Sequence, residues 1–195
     1  MTARVVTAVA PRDDHRLAVE LDGEPWIVVD SVTALRLGLD LDAAIDPATQ
    51  AEAERLAAEE RALRRGARLV GRRSHATGEL ESKIACADGP QAARAAVERL
   101  AELGAVDDER HAVVLADRRL HDGWGPERIR HDLEVAGVGT ALIERTLGQL
   151  DAAVIEEAAR LALADRTGEE AWRRLAARGF DGDTAERLLG LPPDA

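Results

Sequence analysis

Tyrosine is absent from this 195-residue chain, and one Phe (Phe180) and three Trp (Trp26, Trp124, Trp172) are its only large aromatics. A core built from it must be aliphatic, and the 46% apolar content is mostly Ala, Leu and Val. Ala, Leu, Arg and Glu all favour helix, so composition leans to an α-helical fold. Cysteine is nearly absent too. Cys86 stands alone, which excludes an internal disulfide and points to a reducing compartment, the cytoplasm. No apolar run approaches the roughly 18 residues of a membrane span. The N-terminus lacks the basic head and apolar stretch of a secretory signal. No membrane partner is expected. Lysine is reduced to Lys83, every other basic residue being Arg, which we read as codon bias rather than chemistry.

Catalytic and metal-binding patterns are missing as well. His15, His75, His111, His121 and His131 form no i, i+4 pair and accompany no Cys pair, so clustered metal ligands are not expected. These histidines read as surface or boundary residues, and Cys86 as a small core residue. Asp107-Asp108-Glu109 precedes a helical stretch, where acids cap free N–H groups and complement the dipole. Gly123-Trp124-Gly125-Pro126 has no G-x-G-x-x-G or P-loop continuation. It reads as a turn with an anchoring indole, followed by Pro at the first helical position. Ser31, Ser74 and Ser82 lack a G-x-S-x-G context. No cofactor, metal or catalytic site is expected; the chain is not read as an enzyme.

What is present falls into four blocks. Residues 1–46 are β-rich. An apolar run, Val5–Val9, is ended by Pro11, and Leu17–Leu21 alternates with period two. Asp22-Gly23 is a tight-turn signal, and Trp26–Val29 is the returning strand. A three-stranded meander is expected, followed by a short helix capped by Asp30 or Ser31 and closed at Gly38. From Pro47 onward the chain reads as helical. In Ala48–Val70, Leu56, Leu63 and Val70 recur every seven residues with Ala67 between, defining an apolar face. A shorter unit then recurs. One helix opens at Thr77-Gly78-Glu79, one at Gly125-Pro126-Glu127 and one at Gly168-Glu169-Glu170, closing at Gly89, Gly137 and Gly179. Ile129, Leu133 and Gly137 repeat the four-residue spacing of Ala171, Leu175 and Gly179. The expectation is a mainly α fold of tandem three-helix repeats, 47–105, 106–150 and 151–195, forming an elongated curved body behind a small β extension.

The net charge of −11 argues against simple affinity for nucleic acid. Yet Arg61, Arg64, Arg65, Arg68, Arg72 and Arg73 fall within thirteen residues that contain no acid. On a helix the first five form a stripe of like charges, which repel by a few tenths of a kcal/mol per pair, so an anionic partner is plausible. Smaller basic groups recur at Arg118-Arg119, at Arg128 and Arg130, and at Arg173-Arg174 with Arg178.

These residues are similar to a known family. Arg72-Arg73-Ser74, Glu79-Leu80 and Lys83-Ile84 resemble the R-x-S-x-x-E-L-x-x-K-L stretch of RecX proteins, with two extra residues after Ser74. Val97, Leu100 and Leu103–Arg110 resemble its L-x-x-L-G-Y-L-D-D-x-R segment, the run from Gly123 and Gly125 through Val138 its G-x-x-x-I-x-x-x-L-x-x-K-G-I segment, and Arg178-Gly179-Phe180 its late R-G-F. The likeness runs in order over nearly the whole chain. It implies three tandem three-helix repeats that bind in the groove of the RecA–DNA filament. It implies inhibition of RecA's ATPase, coprotease and strand-exchange activities, and so an action on DNA repair, recombination and the SOS response. Some members also bind DNA, so a weak contact with single- or double-stranded DNA is a further candidate. The contact candidates are the arginines named above together with Lys83, and a monomer is expected. His111 stands where the family carries an aromatic, Ala136 where it carries a basic residue, and the chain is acidic where the family is commonly basic. The rival readings are a helix-turn-helix-like DNA-binding protein and a helical-repeat scaffold for another partner.

Overall fold

A computed structural model describes residues 3–190. The first strands are β1 (Arg4–Asp13), β2 (Arg16–Leu21) and β3 (Glu24–Asp30), followed by helix α1 (Ser31–Arg36) and a two-residue strand β4 (Ala44–Ile45). They form a four-stranded sheet of order β3-β2-β1-β4, one strand more than the meander expected. The Asp22-Gly23 turn has φ of 52° and 86°, both left-handed, as a two-residue turn matched to strand twist requires. Pro11 lies inside β1 rather than ending it. β4 covers only Arg4 and Val5, so β1 is an edge strand at Pro11, where a residue without an N–H is tolerated.

Asp46 caps the long helix α2 (Pro47–Val70) by accepting from Thr49 N at 2.7 Å, and Pro47 occupies the first turn, where no N–H is missed. The sheet's inward residues Val6, Val19, Leu21, Ile27 and Val29 share one core with Ala53 and Ala57 of α2. Trp26 Nε1 donates to Glu54 Oε1 at 2.8 Å, and Asp30 N to Glu60 Oε2 at 3.0 Å, tying sheet to helix. The fully buried row of α2 is Ala53, Ala57, Ala62 and Gly66, whereas the heptad residues Leu56, Leu63 and Val70 are only half-buried. Small residues win there because the sheet and a later helix both approach α2 closely. A methyl group on Gly66 would lie 2.6 Å from Leu100 Cδ1. Helices α3 (Thr77–Asp88) and α4 (Pro90–Glu102) follow, and α4 packs along α2.

Six more helices complete the described chain: α5 (Asp108–His121), α6 (Pro126–Val135), α7 (Thr140–Gly148), α8 (Ala152–Leu163), α9 (Gly168–Ala177) and α10 (Gly182–Leu189). By their contacts the residues divide into two compact units. One comprises residues up to Gly71 with Glu81–Leu103, the other Arg72–Leu80 with the residues from Gly104 on. The second unit closes around Leu120, Ile129, Leu133, Ile143, Leu175 and Phe180.

One joint occurs twice in that second unit. The first turn of α3 meets the turn after α6: Glu79 N donates to Ala136 O at 2.9 Å, and a methyl group on Gly78 would lie 3.0 Å from Gly137 Cα. The start of α6 meets the turn after α9 in the same way. Gly125 N donates to Arg178 O at 2.8 Å and Glu127 N to Gly179 O at 3.0 Å. The recurring glycines are there because two backbones touch, and the exchanged bonds satisfy helix-end groups that would otherwise be orphaned.

Candidate functional site

Asp88, its side chain buried, sits at the end of α3 and draws two of the α2 arginines onto it: Arg65 at 2.7 Å and Arg61 at 3.8 Å. Arg64 pairs with Glu60 at 3.5 Å. Arg68 is exposed and makes no ion pair among the described residues. Because α2 stops at Val70 with Gly71 as its cap, Arg72 does not continue its stripe as expected. Arg73 turns to Glu79 at 2.5 Å, and Arg72 is exposed without an ion pair among the described residues. Lys83 lies exposed on α3.

In the second unit most of the candidate cations are already matched. Asp132 receives both Arg119 at 2.6 Å and Arg128 at 3.0 Å. Arg130 pairs with Glu144 and, at 3.5 Å, with Glu127. Arg118 reaches Asp122 only loosely, at 3.9 Å, and Arg173 reaches Glu169 at 3.5 Å. Arg174 and Arg178 instead donate to backbone carbonyls, Ala162 O at 3.3 Å and Asp122 O at 3.1 Å. Trp124 anchors its turn under two guanidiniums, Arg178 Cζ being 4.2 Å and Arg128 Cζ 5.0 Å from the ring centroid. Of the candidate arginines, those without an ion pair to a carboxylate among the described residues are therefore Arg68, Arg72, Arg174 and Arg178.

A polar cluster at the start of α3 was not anticipated. His75 and His111 are 4% and 7% exposed, buried rather than on the surface. His111 Nδ1 lies 2.9 Å from Ser74 Oγ, while its Nε2 is buried with no partner among the described residues. Burial, the largest influence, holds the His111 pKa below the ordinary imidazole value, against the opposing pull of Glu79 and Asp108. His75 Nδ1 is 3.0 Å from Glu79 Oε2, without hydrogen-bond alignment. The acid triplet divides its work. Asp107 caps α5 through Arg110 N at 3.0 Å, whereas Asp108 reaches across to Thr77 N at 2.7 Å and Thr77 Oγ1 at 3.0 Å, at the opening of α3. The sequence signal was His111 itself, a histidine where the resemblance implied an aromatic. Cys86 is exposed, not a core residue, because the inward positions of α3 are Leu80 and Ile84.

None of this assembles a recognisable reaction centre. Ser74 and His111 have the nucleophile–base spacing, but no third group orients the imidazole among the described residues. Among those residues no three His, Cys, Asp or Glu side chains gather to hold a metal ion. An open cleft of about 860 Å³ between α5 and α8 is lined by apolar residues such as Leu120, Val154 and Leu161 and by the charged Asp117, Glu157 and Arg160. No described helix is long and apolar enough to cross a membrane.

No family model matches the chain. The regulatory protein RecX of Stenotrophomonas maltophilia (strain K279a) is 33% identical over 147 residues, covering 70% of this chain and 90% of that protein. The chain belongs to the RecX family. The RecX of Xanthomonas campestris pv. campestris (strain B100) is 36% identical over 137 residues, covering 65% of this chain and 84% of its own length. A crystal structure of regulatory protein RecX shares the fold with a TM-score of 0.71 at 17% identity, over 96% of this chain and 98% of that one. The RecX of Lactobacillus salivarius gives 0.60, also at 17% identity, over 69% of this chain and 96% of that one. In this RecX chain several of the residues that carried the resemblance are packing residues. Ile129 and Leu133 are fully buried, and Gly137 and Gly179 have φ of +77° and +80°, a region that favours glycine. These four positions serve the recurring joint and its core.

Proposed function

We propose that this chain is a non-enzymatic cytoplasmic regulator that docks in the groove of the RecA–DNA filament and restrains RecA's ATPase, recombinase and coprotease activities. Membership of the RecX family carries the reading. It is supported by exposed cations that make no ion pair among the described residues, Arg68 and Arg72, in a chain whose other candidates are mostly matched to acids. The repeats 47–105, 106–150 and 151–195, three helices each from α2 on, are part of the same proposal. Each contact is weak, but several in one chain raise the effective concentration of the rest, so a monomer suffices to bridge neighbouring RecA subunits. Contact with DNA is secondary, because the net charge of −11 opposes it.

The test is RecA's DNA-dependent ATPase with this protein added below RecA stoichiometry. We expect the rate to fall, and to fall less with the double variant Arg68→Gln/Arg72→Gln. An unchanged rate with wild-type protein would overturn the proposal. A gel shift on duplex DNA without RecA, if as strong as filament binding, would favour the DNA-binding alternative.

A further inference from the structure

Arg166, Glu170, Arg174 and Arg178 follow one another at four-residue steps, from the turn before α9 to its C-cap. One side of this helix thus carries three guanidiniums and one carboxylate. Arg166, Glu170, Arg173 and Arg174 line an open cleft of about 470 Å³. Arg166 pairs with Glu170 at 3.0 Å and Arg173 with Glu169 at 3.5 Å, through side chains that are largely exposed. Arg174 and Arg178 reach no carboxylate among the described residues. Carbonyls at the ends of α8 and α5 hold them, Ala162 O taking Arg174 Nε and Asp122 O taking Arg178 Nη1. A guanidinium offers five N–H donors, so these bonds leave most of both forks unused. Desolvation, reinforced by the charges of Arg174 and Arg166, holds the Arg178 pKa below the ordinary guanidinium value. The carbonyls explain how the two side chains are positioned. They do not account for four gathered cations in a chain of net charge −11.

We propose that this cleft binds a phosphate-type oxyanion, with Arg174 as the central ligand, Arg166 and Arg173 beside it, and Arg178 adding positive field. Planar N–H forks match phosphate oxygens in pairs. Trp124 is already engaged by Arg128 and Arg178, so the ligand is held by its charge and not by stacking on that ring. Glu170 is the carboxylate that weakens the site. Two sources present this chemistry, a free phosphate or pyrophosphate and the phosphodiester backbone of a nucleic acid. The site is a property of this chain alone and is tested without RecA, so its failure and that of the filament proposal are separable.

The experiment is titration calorimetry of the full chain in phosphate-free, low-salt buffer with three probes: inorganic phosphate, pyrophosphate and an oligothymidylate lacking terminal phosphates. Saturable binding of at least one is expected. Binding by the first two assigns the free oxyanion, and binding by the oligonucleotide alone assigns the backbone. Arg174→Gln should weaken binding about tenfold, the loss of one charge-assisted bond. Glu170→Gln should tighten it about two- to fivefold, the scale of an exposed ion pair. Should Arg174→Gln fail to fold, Arg173→Gln and Glu170→Gln, both at exposed positions, carry the test. No saturable heat with any probe, or heat unchanged by every variant that folds, would overturn the site.

Discussion

Replacing Gly125 by Ala tests whether the recurring backbone joint holds the second unit together. Gly125 has φ −88° and ψ 173°, extended backbone that any residue adopts, so conformation is no obstacle and only space is. The new methyl carbon would sit 2.3 Å from Gly179 O, 2.5 Å from Gly179 C and 2.7 Å from Phe180 N. All three are backbone atoms and cannot rotate away. Contact at normal van der Waals distance demands about 1 Å of separation. That movement stretches the bonds from Gly125 N to Arg178 O, now 2.8 Å, and from Glu127 N to Gly179 O, now 3.0 Å. Overpacking costs about 1–3 kcal/mol and each lost hydrogen bond about 1 kcal/mol. We therefore expect a loss of about 3–5 kcal/mol, a large part of the 5–15 kcal/mol typical of a folded domain. Urea denaturation followed by far-UV circular dichroism should show the midpoint falling by more than about 1 M. Gly148→Ala is the control. It lies in α7 with nothing within 4 Å of the added carbon, so it should be neutral or stabilise by up to about 1 kcal/mol. A Gly125→Ala protein within about 0.5 kcal/mol of wild type would refute the reasoning.

Three further outcomes follow from the same structure. His111→Phe removes both a titrating group and a buried nitrogen without a partner. Since the folded pKa lies below the unfolded value of about 6.5, falling pH below that value protonates the unfolded chain first and erodes wild-type stability. The variant's stability advantage should therefore widen on acidification from pH 7.5 towards 5.5 in denaturant titrations, and a constant difference would contradict it. Asp108→Ala leaves Thr77 N and Oγ1 without their carboxylate and should cost about 1–2 kcal/mol, with amide exchange rising first at the start of α3. Arg68→Gln/Arg72→Gln changes exposed side chains without ion pairs among the described residues, so thermal stability should move by less than about 0.5 kcal/mol while RecA inhibition weakens; a matching loss of stability would show that these arginines are structural.

Local signals were read directly from the chain. The Asp22-Gly23 hairpin, a cap at one of Asp30 and Ser31 and one within Asp107–Glu109, Pro at the start of α2 and α6, and Gly after α6 and α9 all lie where the sequence puts them, the structure choosing Asp30 and Asp107. Capping and turn chemistry act within a few residues, so neighbours in sequence suffice to reveal them. Part of the family resemblance was legible for a related reason: Ile129, Leu133, Gly137 and Gly179 carry the glycine-and-aliphatic spacing that the joint needs. The short strand β4 was not legible, because two residues pair only when β1 is already present.

Burial of polar groups was decided elsewhere. His75, His111 and Cys86 each went against expectation, since the side a residue faces depends on what packs against its helix, and residues distant in sequence supply that. Asp108 acts on Thr77 across 31 positions, and the α2 arginines are claimed by Asp88 from a later helix. The arginine run fixed that positive charge would be concentrated there. Which cations remain open to a partner was settled only by the carboxylates and carbonyls that folding brought beside the others, because ion pairing depends on distance in space and not on separation along the chain.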